Sequence, residues 1–433
     1  MKIKCSIETG GSELLLTIAH QTMQRCQQLA MCTEEPGKIT RRFLTPSMHD
    51  VHSLICHWMN AAGMRTRIDA AGNLIGSLSS PDKKNASPPK RFLLGSHLDT
   101  VPNAGAYDGI LGVMIGLAVA EHFASLTTAL PFSIDVIGFS EEEGVRYAQP
   151  YLGSRSIAGS FDTSWLERVD EQGVSMREAI QAFGLDPNDI PTAAISPTEV
   201  IGFVEAHIEQ GPVLERLDHA VGIVTSIVGQ SRLTVEFKGE AGHAGTMPMM
   251  PRRDALVGAS RLVGQVRDTG CGIEGLRATV GRMMVSPNAS NVIPAAVELS
   301  LDVRHASDAV RLQAVDDLIA AGQRIAAEDD LRFMILHRSD SPSVAVSPRL
   351  ESLLIRSVEA MGIHNTRLPS GAGHDAVVMG QRFPMAMLFI RHPDGISHHP
   401  DERVDVADVA VAIDVLIDFI TRLAAEEAAI QTT

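Results

Sequence analysis

Residues 91–139 read RFLLGSHLDTVPNAGAYDGILGVMIGLAVAEHFASLTTALPFSIDVIGF. Arg91–Gly95 is short, apolar and rich in strand formers, and so is Phe132–Phe139. Such runs suit strands buried on both faces. Between them, Ile110 to about Ala124 has helical length. Its longest apolar run, Ile110–Ala120, is bounded by Asp108 and Glu121 and is too short to span a bilayer, so it predicts a buried helix. Strand, helix, strand is a βαβ unit. It predicts an α/β fold with a mainly parallel sheet flanked by helices.

Working outward, apolar residues at helical spacing predict helices over Ser12–Leu29 and Ser47–Ala62. The Ser/Pro/Lys/Asn tract Ser79–Lys90 predicts an exposed loop. The middle of the chain changes character. Ala220–Gly239 is a strand region and Arg253–Arg267 a helix. Arg277–Val285 and Ala296–Val303 are strands, Ser307–Glu328 an amphipathic helix, and Leu331–Leu336 a strand. The order β-α-β-β-α-β is the ferredoxin-like α+β arrangement. It places an inserted domain at 223–340, with 1–222 and 341–433 forming the larger domain. A helix over Arg349–Met361 and a strand over Met385–Ile390 then complete the first sheet. No internal repeat is evident.

The bulk properties exclude several classes. A chain of 433 residues is long for one core, which agrees with two domains. With 45% hydrophobic and 21% charged residues it is ordinary globular material. Its net charge of −15 disfavours duplex nucleic acid and anionic membrane surfaces as partners. Cys5, Cys26, Cys32, Cys56 and Cys271 are odd in number and form no C-x-x-C pair, so reduced, cytoplasmic thiols are expected. No signal-peptide pattern opens the sequence. No G-x-x-x-x-G-K-[ST] phosphate loop is present, and the Gly109–Gly112 stretch lacks the G-x-G-x-x-G order.

The chemistry gathers at predicted strand ends. Arg91–Gly95 runs into Ser96-His97-Leu98-Asp99-Thr100, and Asp108-Gly109 opens the next helix. The strand after it ends in Ser140-Glu141-Glu142-Glu143-Gly144. Open α/β sheets place ligand sites at such carboxyl ends. Consecutive carboxylates there are costly unless solvated or compensated by positive charge, and a metal is the economical candidate. His207 lies in Glu205-Ala206-His207-Ile208-Glu209-Gln210-Gly211, and His398 in Gly395-Ile396-Ser397-His398-His399-Pro400-Asp401-Glu402. A single histidine in such a place is more often structural than a ligand. The set of His97, Asp108, Glu143, His207 and His398 supplies imidazole and carboxylate without thiolate. That suits a hydrolytic Zn, Mn, Co or Ni, and a bridging carboxylate permits two of them.

His97-Leu98-Asp99-Thr100-Val101-Pro102, Asp108-Gly109, Glu142-Glu143-Gly144 and Gly242-His243-Ala244-Gly245 resemble the di-zinc amidohydrolase and peptidase family that includes aminoacylases and carboxypeptidase G-type enzymes. His207–Pro212, Pro287–Pro294 and Gly395–His398 are similar to the branch containing allantoate amidohydrolase, N-carbamoyl-L-amino acid hydrolase, ureidoglycolate amidohydrolase and β-ureidopropionase. The resemblance runs from about 90 to 405.

It implies two divalent metal ions, zinc first, with Asp108 bridging them. His97 and His207 would hold different ions, with Glu143 beside one and His398 beside the other. Asp99 would fix the His97 ring, and Glu142 would be the general base, with Glu141 solvated or structural. Arg304 would clamp the substrate carboxylate with Asn291 and Gln210 as polar companions. His243 would steady the oxyanion from a partner subunit, and His374 would touch substrate. The implied partners are a ureido-acid substrate and a second copy of the chain, docked through the inserted lid domain. The implied reaction is hydrolysis of a carbamoyl C–N bond. Allantoate leads as substrate and an N-carbamoyl-L-amino acid is second, ahead of ureidoglycolate and β-ureidopropionate. An aminoacylase or dipeptidase comes last, against the His-Ile-Glu-Gln-Gly segment.

Overall fold

The computed structural model describes residues 9–80, 90–126 and 129–431. Cys5 and residues 81–89 of the expected loop lie outside them. The strands in chain order are β1 (Arg65–Ile68), β2 (Leu74–Leu78), β3 (Arg91–His97), β4 (Ser133–Phe139), β5 (Val200–Ile208), β6 (Val221–Ile227), β7 (Gly229–Lys238), β8 (Arg277–Ser286), β9 (Ala296–His305), β10 (Arg332–Ser341), β11 (Val344–Ala345), β12 (Arg367–Ser370) and β13 (Met385–Ile390).

Two compact units are present. One comprises the residues up to Thr225 together with those from Ala345 onward, and the other is Ser226–Val344. In the larger unit the strand order is β1-β2-β4-β3-β5-β13-β6-β11, with β12 on β6. Its centre, β4-β3-β5-β13, is parallel. Those strands are apolar on both faces because helices cover both, as in Met385–Ile390 and Val200–Ile208, where every residue is buried. The helix Ile110–Ser125 is apolar all round and buried along most of its length, as the sequence predicts. It packs so closely that a Cβ on Gly112 would lie 2.2 Å from the Ala206 carbonyl oxygen of β5. Phe92 on β3 sits between Phe132 and Phe419, at centroid distances of 6.3 and 5.7 Å.

The smaller unit has the strand order β10-β7-β9-β8, antiparallel throughout. Helices Ala255–Gly272 and Asp308–Glu328 lie over one face of its sheet, and the ladder of Leu233, Val235 and Phe237 alternates inward as a half-buried strand should. The expected strand region Ala220–Gly239 is two strands. β6 joins the large sheet through β13, and β7 joins the small one. The chain passes between units after Thr225, within β6, and after Val344, within β11. The β1–β2 hairpin and the short helices between residues 152 and 199 were not read from the sequence, because none has a long periodic stretch.

Candidate metal centre

The parallel register builds the site. His97 ends β3 level with Phe139, which ends β4 just before Glu141–Glu143. Leu94 is level with Val204, and carrying that register forward sets His97 beside His207. Asp108 precedes the helix Ile110–Ser125 across Gly109, whose φ is +70°. A Cβ at Gly109 would lie 2.4–2.5 Å from three atoms of the His97 ring, so only glycine admits the ring there.

Asp108 is the hub. Its Oδ1 lies 3.1 Å from His207 Nε2 and 3.7 Å from His97 Nε2. Its Oδ2 lies 3.3 Å from His398 Nε2, which is also 3.5 Å from Glu143 Oε1. The other ring nitrogens are engaged. Nδ1 of His207 meets the Ile208 carbonyl at 2.8 Å, and Nδ1 of His97 meets the Asp99 carbonyl at 3.0 Å. A proton on each Nδ1 turns each Nε2 lone pair inward, the tautomer a metal requires. His399, by contrast, accepts from the Asp401 N–H.

Asp108 Oδ1 and His207 Nε2 are both buried without a hydrogen-bond partner. Two orphaned acceptors facing each other call for a cation. Tetrahedral zinc with ligands at roughly 2.0–2.1 Å holds neighbouring ligand atoms roughly 3.3 Å apart, close to the spacings here. The residues therefore fit the group. Of four groups among the described residues that could hold an ion, two share Asp108: His97, Asp108 and His207 in one, and Asp108, Glu143 and His398 in the other. The expected pairing set His97 and His207 on different ions; here they come from neighbouring strands and face one Asp108 oxygen.

The electrostatics agree. Burial pushes the Glu142 carboxyl well above the usual carboxylate range, and Glu143, Asp375 and Asp99 add to it. Burial pushes Glu143 up to about 7. Burial works against charge on Asp108 too, but contacts with His207, His398 and His97 hold it well below the carboxylate range. For His97 the same carboxylates, Asp108 and Asp99, outweigh burial and hold its protonated form well above the usual histidine range. Clustered carboxylates thus draw in positive charge, and a metal ion would displace those protons.

The supporting groups are specific. Asp99, 1% exposed, accepts the N–H groups of Glu142 and Glu143 at 2.9 and 3.1 Å, and its Oδ1 is 3.3 Å from His97 Nδ1. It ties the glutamate turn to the histidine. Glu142 and Glu143 both come within ligand distance of His97. Glu141 is fully buried, so the solvated alternative does not hold. Gln210 Nε2 donates to Asp108 Oδ2 and to Ser397 Oγ, each at 3.0 Å, which engages it with the hub. His374 is buried, bonded to Ser370 Oγ at 2.9 Å and edge-on to His207 at 4.4 Å.

In the smaller unit, β7 pairing continues past its end. Gly239 donates to the Ala295 carbonyl, His243 bridges Val292, and Ala244 donates to the Asn291 carbonyl. His243 and Asn291 are exposed together there. Gly245 donates to His243 Nδ1 at 3.1 Å, which makes Nε2–H the ring's outward donor. Arg304 lies at the far end of β9, forked onto Asp302 at 2.8 and 3.1 Å. Ala296 and Arg304 are eight residues apart on an antiparallel strand, roughly 27 Å. Asn291 is therefore no companion of Arg304 within one chain.

Sequence reasoning passed over two buried carboxylates. Glu205 on β5 accepts from Ser96 Oγ at 2.7 Å and from the Ala376 N–H at 3.0 Å. Glu402 accepts from the Tyr107 and Asp108 N–H groups. A glutamate inside a strand otherwise apolar but for His207 was the available signal for the first. Nothing local marked the second.

A mainly parallel sheet with candidate metal ligands on adjoining strand ends, and an inserted four-stranded unit, is the arrangement of zinc-peptidase-like hydrolases. Peptidase family M20/M25/M40 matches residues 93–422, and the chain belongs to it. It is 36% identical over 406 residues to an N-carbamoyl-L-amino acid amidohydrolase of Geobacillus stearothermophilus, covering 93% of this chain and 98% of that one. It is 34% identical over 390 residues to the allantoate amidohydrolase of Bacillus subtilis, covering 90% and 93%. A solved amidase of the hydantoinase/carbamoylase family from Burkholderia multivorans superposes with a TM-score of 0.85 at 32% identity, covering 93% and 97%.

Proposed function

We propose that the chain is a metal-dependent amidohydrolase of ureido acids, with allantoate the leading substrate and an N-carbamoyl-L-amino acid second. The observation that carries this is the Asp108 hub, with His97 and His207 at one oxygen, His398 at the other, and the Glu142–Glu143 pair beside it. Relatives named for those two substrates support the choice between chemistries. When bound, two divalent ions, zinc first and Mn, Co or Ni otherwise, supply Lewis acidity that activates water and polarises the ureido carbonyl. His97 and His207 would hold one ion and Glu143 and His398 the other, with Asp108 shared between them. Glu142 takes the proton of the attacking water and returns it to the leaving nitrogen. Ammonia departs, and the remaining carbamate falls to an amine and carbon dioxide. Asp99 keeps the Glu142 turn and the His97 ring in register.

The reading includes a homodimer joined through the smaller unit, which serves as lid. The substrate spans far less than the roughly 27 Å along β9. Arg304 and the His243–Asn291 pair therefore serve one substrate only if two copies contribute. Arg304 binds the substrate carboxylate while sharing its guanidinium with Asp302, and the partner's His243 donates Nε2–H to the oxyanion. β8 offers an edge strand for the docking, with Met283 and Met284 exposed on it. Residence in the reducing cytoplasm suits the free Cys26, Cys32, Cys56 and Cys271. No helix among the described residues is long and apolar enough to cross a membrane.

Chelation tests the metal requirement. Activity should vanish with the metal and return with added Zn, Mn, Co or Ni. A preparation shown to be metal-free by elemental analysis yet fully active contradicts the proposal.

A further inference from the structure

Asp108 can serve two ligand sets only if its main chain is held while its two oxygens face opposite ways. Its segment, Ala104–Gly109, has no regular secondary structure to do this. The hold comes from the far end of the chain. Glu402 Oε1 accepts the Tyr107 N–H at 2.8 Å and the Asp108 N–H at 3.0 Å. Glu402 follows His398 by one helical turn's worth of sequence, and its own N–H bonds the His399 carbonyl. The loop that brings His398 to Asp108 Oδ2 therefore also grips the Asp108 backbone. The grip is tight, for a Cβ on Gly105 would fall 2.3–2.4 Å from Glu402 Cβ, Cδ and Oε1. It is also costly. Glu402 is 6% exposed and its Oε2 is buried with no hydrogen-bond partner, an expensive place for a carboxyl that serves packing alone.

We propose that Glu402 is a positioning residue for the metal centre, its carboxyl fixing the Tyr107–Asp108 main chain so that Asp108 bridges both ligand sets. This rests on the metal reading above. What the role needs is an acceptor oxygen. Glutamine supplies one, and its amide nitrogen would stand where the unpartnered Oε2 stands now. Alanine supplies none. Gly105→Ala leaves Glu402 in the sequence but drives its carboxyl out of place.

The test is a titration of the metal-free protein with zinc against a competing chromophoric chelator, which reads stoichiometry and affinity without reference to turnover. Wild type should bind two ions. Glu402→Ala and Gly105→Ala should each weaken binding roughly 10–100-fold, as loss of groups that orient ligands does, and Glu402→Gln should stay near wild type. A purely structural role would instead lower the melting temperature of the metal-free protein and leave affinity alone. Should Glu402→Ala fail to fold, the glutamine and Gly105→Ala variants decide. Wild-type affinity in Gly105→Ala, or a glutamine variant as weak as alanine, overturns the inference. A wild-type protein that binds no zinc overturns the metal reading itself.

Discussion

At the scale of single residues, the division of labour between Glu142 and Glu143 matters most. Glu143 Oε1 reaches His398, while the Glu142 carboxyl is buried beside His97 with its N–H on Asp99. Glu142→Gln should keep the metals and the fold and lose turnover by roughly 10²–10⁴-fold or more, since it removes the proposed general base. Elemental analysis beside steady-state rates checks this, and near-normal rates at full metal content would transfer the role to Glu141. The five proposed ligands could be named from sequence because each sits in a distinctive short motif. Their grouping could not. Whether His97 shares an ion with His207 depends on which strands are neighbours, and that is a fact of topology. For the same reason Glu402 stayed hidden. Its contact is with main-chain N–H groups almost three hundred positions away, and no motif records such a partner.

At the scale of elements, the central βαβ unit was legible because β3, the helix Ile110–Ser125 and β4 are each mostly apolar and buried. Short, half-exposed pieces were not. β1 has four residues and buries none of them, so periodicity had nothing to act on. The helix Pro46–Ala61 carries a pH-dependent element. His52 on it is 3% exposed, edge-on to Phe183, with neither ring nitrogen bonded. Burial, with His49 nearby, pushes its pKa down from 6.5 to about 4. Between those values the unfolded chain binds a proton that the folded chain refuses. Folding therefore weakens as pH falls through that window, by up to about 3 kcal/mol from this one group. His52→Phe should flatten that part of the curve. Denaturant midpoints from pH 7 to pH 4 check it, and parallel curves for the two proteins would contradict it.

At the scale of the whole molecule, the inserted unit was legible from the order of its elements, expected at 223–340 and found as the compact unit Ser226–Val344. β6 and β7 follow each other with one residue between them, so a single strand-like run of sequence serves two sheets. The pairing that continues β7 gathers His243 and Asn291 at one end of the small sheet while Arg304 stays at the other, which is the basis for an active site built from two chains. Mixing subunits tests it. His243→Ala and Glu142→Gln, each nearly inactive alone, should recover activity together. Random exchange makes about half the dimers mixed, each with one intact site of two, so about one quarter of wild-type activity should return. No recovery despite proven exchange would mean that His243 acts within its own chain or not at all.

The central claim is the reaction, and one panel tests it most directly. Zinc- or manganese-loaded protein is offered allantoate, ureidoglycolate, several N-carbamoyl-L-amino acids and the corresponding N-acetyl amino acids, and the ammonia released is measured. The account predicts ammonia from at least one ureido acid, allantoate foremost, and little cleavage of the N-acetyl compounds. Ammonia from none of the ureido acids, with the metals demonstrably bound, would contradict it.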